Sequence, residues 1–279
     1  MQILHTVEEL RQWSRNAHRN SATVGLVPTM GALHLGHASL IRAAAARCEQ
    51  VVVSIFVNPT QFGPNEDYDR YPRTFAADCK LAEEAGATAV FHPEVSALYA
   101  ADASTFVEVE GLSTKLDGGS RPGHFRGVST VVAKLFAASE ADLAFFGQKD
   151  AAQVAVLRRM RRDLALGTEM VVCPIVREAD GLALSSRNTY LSTAERQQAL
   201  VLSRTVRLIE KLYAKGEHKA EVLLAAARAS VAAEPAAVVD YITLVDWSTL
   251  EPVAVAGTNT LFALAASFGP TRLIDNTVL

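Results

Sequence analysis

Cysteine is scarce in this chain: Cys48, Cys79 and Cys173 are odd in number, far apart and form no C-x-x-C pair. A disulfide framework or a structural zinc site is therefore not expected, and a reducing, cytoplasmic setting is. No apolar run approaches the ~18 residues needed to span a bilayer, so no membrane partner is expected. The opening residues, Met1-Gln-Ile-Leu-His-Thr-Val-Glu-Glu9, lack both a basic stretch and an apolar core, so no secretory signal is expected. Neither sign of charge is in excess. There are 27 Lys+Arg against 30 Asp+Glu, a formal net charge of −3, which leaves no electrostatic footprint for nucleic acid. Internal repeats and low-complexity linkers are also missing. What is present is a chain of 279 residues, 49% hydrophobic and 20% charged, which reads as globular. It is long enough for one large or two modest domains, and its starting expectation is a protein that acts on small molecules.

Strand and helix patterns alternate through roughly the first 176 residues. Thr6 and Glu9 have the spacing of a capping box opening a helix. Thr23–Val27 is a short apolar run ended by Pro28, and an Ala-rich helical pattern follows over His37–Arg47. Val51–Val57 is β-branched and continuous, as expected of a strand buried on both faces of a parallel sheet. A helix over Thr74–Ala85 stops at Gly86, and strands are expected at Ala87–Phe91, Leu143–Phe146 and Met170–Cys173, with a helix over Ala151–Arg162. Gly118–His124 reads as a Gly/Pro loop. This alternation predicts an α/β fold with a doubly wound parallel sheet. After about residue 177 the pattern changes. Ser192 and Glu195 form a second capping box, and the helix they open carries Leu202, Val206, Ile209 and Tyr213 on one side before Gly216. A helix over Lys219–Ala233 and paired strands at Val238–Val245 and Thr260–Ala266 complete a smaller C-terminal α+β domain.

The sharpest motif is Pro28-Thr-Met-Gly-Ala-Leu-His34-Leu-Gly-His37, between the first strand of the sheet and its helix. In open α/β sheets ligands sit beyond the carboxyl ends of strands, and a helix N-terminus there attracts phosphate. His34 and His37 are three apart, so their imidazoles share one side of the helix start and are suited to charge developing on phosphoryl oxygens. An H-x-G-H arises by chance in about one such sequence in a hundred. A metal pair lacking its third ligand, or two histidines bonded within the fold, are the other readings. Gly147-Gln148-Lys149-Asp150 follows a strand and opens a helix; Lys149 is a candidate point charge on phosphate, and Asp150 a cap or an acceptor for ribose hydroxyls. Asp180–Asn188 is a hydroxyl-rich loop ending in Arg187-Asn188, suited to clamping a triphosphate and equally suited to solvation.

Taken in order, P-T-M-G-x-L-H-x-G-H, F-V-N-P-x-Q-F, Y-P-R-T, P-G-H-F-R-G-V-x-T-V-V, F-G-x-K-D and R-E-x-D-G-L-A-x-S-S-R-N-x-Y-L resemble the pantoate–β-alanine ligases (pantothenate synthetases) of the H-x-G-H nucleotidylyltransferase superfamily. The likeness runs from about Val27 to Ser192 and weakens toward the C-terminus. It implies a Rossmann-like ATP- and pantoate-binding domain over residues 1–176 and a smaller domain over 177–279 that covers the active site. It also implies a two-step reaction. Pantoate attacks the α-phosphorus of Mg2+-bound ATP to give pantoyl adenylate and pyrophosphate, and the amine of β-alanine then displaces AMP. By resemblance His37 is the proton donor, and His34, Lys149 and Arg187 join it in meeting phosphate charge. ATP contacts fall on Met30, Gly31, Ala32, Leu33, His34, Leu35, Gly36 and His37. They continue on Gly147, Gln148, Lys149, Asp150, Val176, Leu184, Ser185, Ser186 and Arg187. Gln61 and Gln153 hold pantoate, with Asn58 lining its pocket, and Gln61 also meets β-alanine. The resemblance further suggests a homodimer.

Asn58 has the alternative task of starting the turn before Pro59, and Asp78 is read either as a Mg2+ ligand or as a solvated or ion-paired carboxylate on a helix surface. Arg121 and His124 are read as loop-ordering, Gly63–Asp67 as a mobile flap, and Met160–Arg162 as a solvated helix end. The chain departs from the family pattern at Gln148 (often Glu), Ala151-Ala152 (often Tyr-Gln) and Leu184 (often Met); the last conserves volume. Competing readings are a sister enzyme moving the adenylyl group to a phosphate acceptor, a class I aminoacyl-tRNA synthetase, and a non-catalytic nucleotide-binding regulator. The charge balance and short C-terminal region leave no evident tRNA platform.

Overall fold

A computed structural model describes residues 1–64, 66 and 68–279. The chain divides into two compact units: Met1–Gly147 with Val156–Cys173, and Gln148–Ala155 with Pro174–Leu279. The division lies at Pro174 where the sequence pattern places it near 177. It also gives the second unit a segment, Gln148–Ala155, that a single cut in the chain does not provide.

In the first unit β1 (Gln2–Leu4), α1 (Val7–Arg19), β2 (Val24–Thr29), α2 (Leu35–Ala45), β3 (Gln50–Ile55), α3 (Phe75–Glu84) and β4 (Ala89–Phe91) alternate; the pattern predicts all but β1, a three-residue edge strand too short to show a period. The one-turn helices α4 (Val95–Leu98) and α5 (Asp117–Ser120) then lead to α6 (His124–Ser139), β5 (Leu143–Gly147), α7 (Ala151–Asp163, of which the first unit holds Val156 onward) and β6 (Glu169–Cys173). The six strands are all parallel, in the order β1-β4-β3-β2-β5-β6. Successive strands run outward from β2 in one direction and from β5 in the other, so the strand order reverses between β2 and β5. That is where such sheets bind ligands. Ala38, Ile41 and Ala44 of α2 and Ala82 of α3 pack on Val27, Val51, Val53 and Phe145 of the sheet.

Two expectations change here. β2 continues through Pro28 to Thr29 instead of stopping before it. Thr29 turns its carbonyl to β3, accepting the Phe56 N–H, so by alternation Pro28 faces the β5 side, where pairing has already ended at Leu26. No ladder bond is lost by its missing N–H. The Gly118–His124 segment is not simply a loop. It contains α5 and opens α6, which is buried on nearly all sides and therefore shows no amphipathic period. At the end of α7, Met160 is in the core and Arg161 donates to the Thr168 carbonyl, so that cluster is only partly solvated.

In the second unit α8 (Thr193–Ala214) and α9 (Ala220–Ala232) pack on an antiparallel sheet, β7-β8-β9, made by Val238–Asp246, Thr260–Phe268 and Thr271–Val278. Leu202, Val206 and Ile209 of α8 meet Leu223, Ala227, Phe262, Leu264 and Phe268 in its core. The third strand, β9, carries buried Thr271, Asp275, Asn276 and Thr277, so it offers no apolar alternation to read. Among the described residues no helix is long and apolar enough to cross a membrane.

Candidate active site

β2 ends at Thr29, and the next residues turn the chain into α2. Gly31 (φ +89°) and Ala32 (φ +48°) both take left-handed backbone, which for Ala32 costs about 1 kcal/mol or more. Asp78 of α3 holds the turn. It accepts the N–H of Ala32 at 3.0 Å and of Leu33 at 2.8 Å, as well as the Thr74 hydroxyl at 3.0 Å. A Cβ on Gly31 would meet Asp78 Oδ2 and Ile55 Cγ2 at 3.1 Å. Asp78 is only 2% exposed, which corrects its reading as a solvated surface carboxylate. The carboxylate accepts three donors of its own fold, two of them backbone N–H groups.

His34 is the N-cap of α2. Its Nδ1 accepts the Gly36 N–H at 3.1 Å, and His37 Nδ1 accepts the His34 N–H at 3.3 Å, forming a capping box built from imidazoles. An Nδ1 that accepts fixes the neutral tautomer with its hydrogen on Nε2. The rings lie 4.1 Å apart, tilted by 31°. Two Nε2–H donors thus accompany the positive end of a helix whose first turn carries no acidic side chain. The "bonded within the fold" reading holds for the Nδ1 atom of each ring.

The Asn58–Gln61 turn stands beside Met30. Gln61 is buried, and its Nε2 lies 2.8 Å from Met30 Sδ. Asn58 is 1% exposed. Its Nδ2 donates to Gln61 Oε1 (3.2 Å) and to the Gly127 carbonyl (3.1 Å), while its Oδ1 accepts the Thr60 N–H and hydroxyl. With both donors and its acceptor engaged, Asn58 caps the turn and orients Gln61. Arg121 and His124 act on the same turn. His124 Nδ1 donates to the Gln61 carbonyl at 2.9 Å, and its Nε2 accepts from Arg121 at 3.0 Å. Burial, and then the Arg121 charge, push the His124 pKa down to about 4, so it is neutral near pH 7. Arg121 also grips Glu66 at 2.6 Å, which holds the Glu66 carboxyl below the usual carboxylate range. Asn65 and Asp67 of the expected flap lie outside the described residues.

In the second unit Gln148–Asp150 form a 3-10 turn leading into α7. Lys149 Nζ stands 3.7 Å from Asp150 Oδ1. The Leu184 N–H donates to the Val176 carbonyl at 2.9 Å, which pairs two residues expected to share one ligand. Ser185 caps the turn Ser186–Tyr190 by accepting the Arg187 N–H at 3.3 Å. Asn188 is buried, donating to Glu178 (2.6 Å) and to the Ala183 carbonyl (3.0 Å). Gln153 lies on α7, half-buried.

The sequence matches the pantoate–β-alanine ligase family from residue 2 to residue 278. The chain belongs to that family. It is 54% identical over its full length to the pantothenate synthetase of Koribacter versatilis, covering 96% of that protein. It is 62% identical over 92% of its length to that of Acidobacterium capsulatum, covering 86% of it. The crystal structure of pantothenate synthetase from Thermus thermophilus superposes over the whole chain with a TM-score of 0.92 at 43% identity, covering 99% of that chain. The ligase of Francisella tularensis, complexed with β-γ ATP and β-alanine, gives 0.79 at 32% identity, covering the whole of this chain and 97% of the other.

For a pantoate–β-alanine ligase the chain's departures are accommodated locally. Gln148 Nε2 donates to Asn276 Oδ1 at 3.3 Å, a contact a glutamate makes only if the asparagine amide reverses. Ala151 and Ala152 are buried, and Trp247 Nε1 donates to the Ala151 carbonyl at 2.9 Å. Among the described residues no three His, Cys, Asp or Glu side chains are grouped to hold a metal.

Proposed function

We propose that this ligase joins pantoate to β-alanine through an enzyme-bound pantoyl adenylate. A pantoate carboxylate oxygen attacks the α-phosphorus of ATP, the bond from that phosphorus to the bridging oxygen breaks, and pyrophosphate leaves with its electrons. The β-alanine amine then attacks the activated carbonyl carbon, losing a proton, and AMP leaves as the carbon–oxygen bond breaks. A carboxylate is a poor electrophile at neutral pH, and adenylation supplies the leaving group it lacks.

The single observation that carries this reading is the imidazole capping box at the start of α2, which sets two histidines at the positive end of a helix, where phosphoryl oxygens are favoured. His37 and His34 stabilise charge building on the phosphates, and Lys149 and Arg187 add cations. Gly31 to Gly36, Gly147 to Asp150, Val176 and Leu184 to Ser186 complete the nucleotide contacts. Met30 joins them, and its thioether also fixes the Gln61 amide. Gln61 and Gln153 bind the carboxylate and hydroxyls of pantoate, and Gln61 meets β-alanine. Mg2+ enters on the triphosphate, held mainly by phosphate oxygens. Three unpaired cysteines suit a cytoplasmic location. Two copies form a homodimer, for which light scattering should give twice the chain mass.

One assay tests the reaction. With MgATP and pantoate, pyrophosphate should appear in an amount equal to the enzyme; AMP should follow only when β-alanine is added. AMP transferred to a phosphate acceptor, or no turnover, would replace this reading with the sister enzyme or the regulator.

A further inference from the structure

β9 is the last strand of the chain and an edge of the antiparallel sheet. Side chains alternate along it. Leu273 and Asp275 share the face that packs into the core with α8, and Asn276 belongs to the other face. These two neighbours, 1% and 3% exposed, each tie a different segment of the second unit to the strand. Asp275 takes Arg177 in a two-pronged pair at 2.6 and 2.9 Å, and Arg177 also donates to the Gly181 carbonyl, fixing the base of the loop that leads to Leu184–Arg187. The Asn276 amide nitrogen donates to two consecutive carbonyls, Gln148 at 3.1 Å and Lys149 at 2.9 Å, while its oxygen accepts from Gln148 Nε2 at 3.3 Å.

We propose that Asn276 is a positioning residue for the adenylation step, clamping the backbone of the Gln148–Lys149 turn so that the Lys149 ammonium meets the phosphates at a fixed place. The proposal rests on the nucleotide role given above to Lys149. The argument is geometric. One amide group that engages both carbonyls and the side chain of a three-residue turn removes its freedom to rotate as a unit. A lysine on a flexible stem then varies only through its own side-chain torsions. Since misplacing a charged group by about 1 Å costs up to a hundredfold in rate, a clamp behind the turn acts on chemistry without touching the substrate. Asparagine is required because only an amide offers two N–H donors and an acceptor in one plane.

The test is Asn276→Asp in the full chain, an isosteric change that sets oxygens against the two carbonyls. Pyrophosphate release in single turnovers with ATP and pantoate should slow about ten- to a hundredfold. The reaction of supplied pantoyl adenylate with β-alanine should stay within twofold, as should the KM for β-alanine. Asn276→Asp placed on Lys149→Ala should slow adenylation little further, because both changes act through one ammonium. Asn276→Ala, which adds no charge, serves in the same cycle if the aspartate variant does not fold. Unchanged adenylation would overturn the proposal. So would equal loss in both half-reactions, or full additivity with Lys149→Ala, each of which marks a purely structural effect. Lys149→Ala with wild-type adenylation would instead overturn the nucleotide reading of this turn, and the proposal with it.

Discussion

The Leu33 N–H donates to Asp78 Oδ1 at 2.8 Å, joining residues 45 apart in the chain. With the Ala32 N–H on the other oxygen, this one carboxylate holds two residues of a turn that takes left-handed backbone immediately before the histidine cap. Asp78→Ala should destabilise the protein by about 3–5 kcal/mol, since it orphans two backbone N–H groups and removes a buried charged acceptor. Urea unfolding measures the loss. The KM for ATP should rise, while the Mg2+ concentration for half-maximal rate at saturating ATP should stay put; a large shift in that concentration would return Asp78 to the metal.

His37→Ala should lower turnover by about a hundredfold or more, the usual consequence of losing a transition-state donor. Steady-state AMP release measures it, and circular dichroism should report an unchanged fold. A variant with unaltered turnover removes His37 from the mechanism.

His124 gives a pH dependence of stability. The unfolded chain protonates this imidazole near pH 6.5, the folded chain only near 4. As pH falls through that window the unfolded state takes up a proton that the folded state refuses, so stability drops, by up to roughly 3 kcal/mol in total. It is fully retained above pH 6.5. His124→Gln should flatten the fall of the urea midpoint between pH 6.5 and 4 by about one proton's slope, and an unaltered slope would contradict the assignment.

A Cβ at Gly127 would run into the Thr60 carbonyl, backbone against backbone, where α6 passes the turn that carries Gln61. Gly127→Ala should cost about 1–3 kcal/mol from overpacking, and it should raise the KM for pantoate more than that for ATP, because the displaced turn holds Gln61 and not the histidine cap. Separate KM determinations decide it.

The parallel sheet was legible because its strands are continuous apolar runs, and both capping boxes, Thr6 with Glu9 and Ser192 with Glu195, were legible because their partners lie one turn apart. The failures share a physical cause. α6 is buried all round and β9 buries polar side chains, so neither shows the period that marks an element against solvent. Asp78 is a short polar residue whose task is set by partners elsewhere in the chain, Ala32 and Leu33. Arg121 and His124, read as ordering a loop, do order one, but it is the turn that carries Gln61. Asn276 was missed altogether, since its contacts cross 127 and 128 residues.

By itself the sequence determined the alternation of elements, the strand–loop–helix setting of His34 and His37, and through its ordered motifs the family. Those are properties of neighbours along the chain, where spacing dictates geometry. Which nitrogen of each imidazole the backbone engages, that Asp78 clasps the turn before α2, and that the final strand holds the Lys149 turn were decided only in the folded molecule. Each depends on groups brought together by burial from distant positions, and their mutual distance has no counterpart in residue numbering.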